Sequence, residues 1–137
     1  MAYWLYKSEP SSWSWTQQVE AGAEGTTWTG VRNHLAKKHL QAMELGERGF
    51  FYHSNEGKAV VGIVEVIREY HPDPTDESGR FGTVDLKAVE ALPRPVTLDD
   101  VKAHPALADM VLIRNSRLSV QPVTEAEWRV VRQLGDL

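Results

Sequence analysis

Four short stretches carry side chains able to do chemistry: Lys7-Ser8-Glu9, Trp28 through Asn33, Tyr52-His53-Ser54 and Arg117-Leu118-Ser119. Trp28 and Tyr52 can stack on a flat heteroaromatic ring. Ser8, Glu9, Asn33, His53, Ser54 and Ser119 can hydrogen-bond to the edge of one. Lys7, Arg32 and Arg117 can meet a phosphate. The richest stretch, Trp28-Thr29-Gly30-Val31-Arg32-Asn33, runs straight into an amphipathic helix, so an indole, a guanidinium and unpaired first-turn NH groups converge. That set suits a ligand both flat and anionic, such as a nucleotide.

The same residues argue poorly for catalysis. His53 and Ser54 adjoin in a strand-like run, where neighbours point to opposite faces and cannot pair directly. There is no GxSxG elbow, GxGxxG loop or P-loop. Glu9 could act as a general acid or base, but no second carboxylate is marked out beside it. The five histidines are scattered with no paired spacing, and His34 and His39 fall on different helix faces. No metal and no cofactor is expected. Cysteine is absent, which removes disulfides, thiolate metal sites and thiol catalysis.

A chain of 137 residues, 42% hydrophobic and 25% charged, is expected to form one domain over residues 1–137 with one core. Its net charge of −4 disfavours binding by a global positive field; a nucleic-acid partner must be held by a local patch and a base pocket. Trp4, Trp13, Trp15 and Trp28 crowd the first quarter, where stacking on a ligand is conceivable. The N-terminus lacks a signal-peptide pattern and no apolar run reaches spanning length, so a cytoplasmic protein of bacterial type with no membrane partner is expected.

These residues need elements to position them. Residues 2–7 read as a strand ended by Ser8-Glu9-Pro10. Ser11 or Ser12 is expected to cap a short helix through Trp13, Trp15 and Val19. The central helix opens on Asn33 as N-cap and runs to about Glu44, with Leu35, Ala36, Leu40 and Met43 as its apolar stripe and Gly46 as its stop. Residues 49–54 and 59–70 read as a hairpin, and 83–92 as a further strand closed by Pro93 and Pro95. Thr97 and Thr124 open capping-box helices on either side of a last strand over 118–123. About five strands with helices at their ends make the chain α+β with a small curled sheet.

Taken together, Lys7-Ser8-Glu9-Pro10, Trp28-x-Gly30-Val31-Arg32-Asn33, Phe51-Tyr52-His53-Ser54, Val61-Gly62-Ile63-Val64, Pro72-Asp73-Pro74-Thr75 and Arg117-Leu118-Ser119-Val120-x-Pro122-Val123 resemble the EVE domain. Six motifs in the family's order, from about Tyr3 to Trp128, make the resemblance specific. It implies a PUA-like β pseudo-barrel of five to six strands with helices packed around it, related to the YTH domain. It also implies a non-catalytic module that binds nucleic acid by holding a modified base in a pocket. Modified cytosine in DNA is favoured over modified RNA. The resemblance gives Ser8, Glu9, Trp28, Asn33, Tyr52, His53, Ser54 and Ser119 to the base and Lys7, Arg32 and Arg117 to phosphate. An enzyme acting on a nucleotide, with Glu9 or His53 as acid–base group, and a sensor of a small heteroaromatic ligand are the alternatives.

Overall fold

The computed structural model describes residues 1–137. Its strands fall where β-branched and aromatic residues are densest: Tyr3–Ser8 (β1), Thr26–Thr27 (β2), Arg48–His53 (β3), Ala59–Pro72 (β4), Gly82–Thr97 (β5) and Val120–Val123 (β6). The helices are Trp15–Glu20 (α1), His34–Ala42 (α2), Leu98–Ala103 (α3), Val111–Arg114 (α4) and Glu125–Leu134 (α5). The fold is α+β, built on one six-stranded sheet in the order β2-β5-β4-β3-β1-β6. All neighbours are antiparallel except β1 and β3, which run parallel with Tyr3 opposite Arg48 and Ser8 opposite His53.

Strand alternation sends consecutive residues to two separate cores. Tyr6, Phe51, Val64 and Leu86 pack with Trp28 and with Ala36 and Leu40 of α2. Their neighbours Leu5, Phe50 and Ile63 pack on the other face with Val101, Leu107, Trp128 and Val131 from the C-terminal helices. Val84 and Leu86 from one end of the sheet share the first core with Leu118 and Val120 from the other, so the sheet curls around α2 as a pseudo-barrel. No helix is long and apolar enough to cross a membrane.

The caps expected at Asn33, Thr97 and Thr124 are present, and both threonines form complete capping boxes, with Asp100 and Glu127. Four details differ. Helix α1 is capped by Ser14, whose reciprocal partner is Gln17, rather than by Ser11 or Ser12. The peptide NH groups of Ser12 and Trp13 instead turn back to the carbonyl of Glu9. Helix α2 ends at Ala42, and Leu35 stands 45% exposed because it lies a third of a turn away from Ala36 and Leu40. The last strand starts at Val120 rather than 118.

The fourth difference is that Pro93 and Pro95 do not end β5, which runs on to Thr97. Val60 faces Val96 and Gly62 faces Ala91, so a bulge carries both prolines out of the ladder. β-strand geometry survives because no ladder donor is asked of them.

Candidate nucleic-acid interface

The segment from Trp28 to Asn33 is fixed before any ligand arrives. Trp28 donates its NH to the Val84 carbonyl at 3.0 Å and accepts at its own carbonyl from the Thr83 hydroxyl. Its indole is only 7% exposed, backed edge-on by Tyr6 and Phe51 at 5.6 Å centroid separations. Gly30 then turns with φ of +92°, a conformation that disfavours any side chain. Its NH donates to Asp73 Oδ2 at 2.9 Å, and Arg32 Nη1 donates to the same oxygen at 3.0 Å. Thr75 supplies its NH and hydroxyl to Asp73 Oδ1, at 2.8 and 2.7 Å. Burial alone would raise the Asp73 pKa, but these donors from Thr75, Gly30 and Arg32 together hold it down at about 2. Asn33 closes the segment by accepting the Ala36 NH at 3.0 Å.

Opposite this segment lies the end of β1. The Ser8 hydroxyl donates to the Trp13 carbonyl at 2.5 Å, and Trp13 Nε1 donates to Gln18 Oε1 at 2.9 Å. Gln18 is fully buried and passes the link on to the Leu86 carbonyl at 3.1 Å. Lys7 donates its backbone NH to Ser119, tying the approach to β6 beside them.

Between the two sides is an open hollow of about 750 Å³. Seven of the residues expected at a site line it: Lys7, Ser8, Glu9, Trp28, Arg32, Asn33 and Ser119. Trp13 and the hydroxyl-bearing Ser12, Thr26, Thr27 and Thr29 line it too. Trp13 was legible as one of the crowded tryptophans, but nothing in the spacing set it apart from Trp4 or Trp15. The volume lies in the range of small-ligand pockets.

The third and fourth stretches divide. Tyr52 belongs to the other core and lines a separate groove of about 200 Å³ with Ser54, Lys58 and Ser116. Tyr52 and Trp28 therefore do not share a pocket, because Phe51 points to the Trp28 side and its neighbour must point away. His53 returns to the Trp28 side, packed on Phe51, but its Nε2 accepts the NH of Trp15 at 3.0 Å. It positions α1 rather than lining the hollow. Arg117 is exposed and lines neither cavity. Arg32, expected at phosphate, is already paired with Asp73.

The sequence and the fold both have known relatives. The EVE domain family model matches residues 2–134. Human thymocyte nuclear protein 1 is 33% identical over 98% of this chain and 74% of its own length. An NMR structure from Rhodopseudomonas palustris is 63% identical and superposes with a TM-score of 0.94, covering 99% of this chain and 94% of that one. The crystal structure of human THYN1 protein in complex with 5-methylcytosine-containing DNA is 30% identical with a TM-score of 0.92, covering 100% and 99%. A YTH domain from Zygosaccharomyces rouxii, at 19% identity and a TM-score of 0.58, shares the fold. This chain, by its family match and by its likeness to thymocyte nuclear protein 1, belongs to the EVE domain family.

Proposed function

We propose that this protein is a non-catalytic nucleic-acid-binding module that reads a modified base, with a modified cytosine in DNA as the favoured ligand. The observation that carries the reading is the hollow itself: two tryptophans, Trp13 and Trp28, line one open space together with Ser8, Asn33 and Ser119. Stacking contributes roughly 1–3 kcal/mol per base, enough to offset the few kcal/mol that extruding a base costs. Hydrogen bonds to the base edge then add selectivity. The human THYN1 complex with 5-methylcytosine DNA supports the same ligand class.

Glu9 is the one carboxylate lining the hollow, and Lys7 is the one lysine beside it. The test is a binding panel of matched oligonucleotides, DNA and RNA, carrying cytosine, 5-methylcytosine or other modified bases. Tighter binding of a modified member than of its unmodified control, with the ligand recovered unchanged, is the expected result. Equal affinity across the panel, or conversion of the ligand, would defeat the reading.

A further inference from the structure

Lys7 lines both cavities, so the hollow and the smaller groove abut at its side chain. Its charged end belongs to the groove. Lys7 Nζ donates to the Ser116 carbonyl and lies 5.9 Å from the centre of the Tyr52 ring, and both residues line the groove. Lys58 brings a second ammonium, and Ser54 and Asn55 bring a hydroxyl and an amide. No carboxylate lines the groove, and neither lysine takes part in any of the six ion pairs of the protein. Glu56, on the same turn, is exposed and stands outside the lining.

A half-buried ammonium without an anion is costly, and burial pushes the Lys7 pKa below the usual lysine range. A bound anion would remove that cost. The contrast with Arg32 is direct: Asp73 has already taken the guanidinium charge, while the Lys7 charge is uncommitted.

We propose that the groove between Lys7, Tyr52, Ser54 and Lys58 holds a backbone phosphate of the nucleotide next to the one whose base fills the hollow. The proposal rests on the base-reading function and adds where the strand leaves the pocket. It also gives Tyr52 and Ser54 a phosphate-side role in place of the base-side role expected from the family.

Lys58→Gln tests it, since Lys58 touches only the groove and glutamine keeps a side chain at the same φ of +32°. The probes are a 5-methylcytosine-centred trideoxynucleotide, the same molecule with each flanking phosphate replaced in turn by an uncharged methylphosphonate, 5-methyldeoxycytidine alone, and inorganic phosphate. Lys58→Gln should weaken the trinucleotide about fivefold and lower the slope of log K against log salt by about 0.7, while leaving the nucleoside unchanged. One methylphosphonate should cause a similar loss, and combining it with Lys58→Gln should add little. Inorganic phosphate should shift the amide resonances of Ser54, Asn55 and Lys58 in the parent only. Base-selective trinucleotide binding that Lys58→Gln leaves intact overturns the groove and spares the hollow. Phosphate shifts without any base-selective binding overturn the hollow, and with it the strand path.

Discussion

His53 Nε2 accepts a hydrogen bond from the Trp15 NH at 3.0 Å, which joins the end of β3 to the start of α1. Only the unprotonated ring nitrogen can accept. Burial already pushes the His53 pKa below the usual histidine value, so the folded state favours the neutral ring.

It follows that acid weakens the fold at this point. Between the ordinary histidine pKa near 6.5 and the lower folded value, the unfolded chain binds more protons, so stability rises with pH there and falls as pH drops. His53→Gln keeps an acceptor for the Trp15 NH without titrating. Urea unfolding at pH 7.5 and pH 5 should show a larger acid loss for the parent than for His53→Gln. His39, also lowered by burial, is common to both proteins and cancels in the comparison. Equal losses would remove the link between β3 and α1.

The Asp73 network should be the stiffest part of the rim. Asp73→Asn leaves Arg32 without its anion and replaces one acceptor oxygen by a donor, which should cost about 2–4 kcal/mol of stability. The parent's benefit from this carboxylate is fully present above pH 3.8 and disappears as pH falls to about 2. Denaturant titrations at pH 7 and pH 3 should therefore bring parent and variant closer together at the lower pH.

The two tryptophans of the hollow should behave differently. Trp13 is half-buried on the rim, and Trp13→Ala should weaken modified and unmodified oligonucleotides alike by about tenfold, the loss of one stacking face. Trp28 is wedged against Tyr6 and Phe51, and Trp28→Ala should cost about 3–5 kcal/mol of stability as well as binding. Calorimetric melting beside equilibrium binding separates the two.

Gly62 is crowded by a third indole. A Cβ there would overlap the Trp15 ring, which packs edge-on to Phe51 at 5.3 Å. Gly62→Ala should cost about 1–3 kcal/mol, and Trp15→Phe introduced beside it should cost less than the two changes separately. Additive losses in the double mutant would mean that the ring does not rest on Gly62.

Much of this was legible because it is local. Asn33, Thr97 and Thr124 announce their helices through side-chain hydrogen bonds to residues within four positions. Lys7, Ser8, Glu9 and the Trp28–Asn33 segment could be read as one set because their types share a chemistry. What escaped depends on partners far along the chain. The pairing of Arg32 with Asp73 crosses 41 residues, and the link between Trp15 and His53 crosses 38. Tyr52 shares its chemistry with Trp28 but not its side of the sheet: with Phe51 facing Trp28, strand alternation turns Tyr52 to the other core. Ser14 rather than Ser11 or Ser12 caps α1 because the turn onto the Glu9 carbonyl comes first and delays the helix by two or three residues.

The prolines carried outward in β5 have a consequence for how the molecule meets its own kind. β2 covers β5 only at Asp85 and Leu86, which leaves much of a 16-residue strand on the rim of the sheet. A rim of free amides invites another chain to add itself as a further strand. Here Pro93 and Pro95 offer no amide hydrogen, and that of Arg94 between them is spent on the Gly135 carbonyl at 3.2 Å. Three consecutive residues of β5 therefore offer no free amide hydrogen for strand addition.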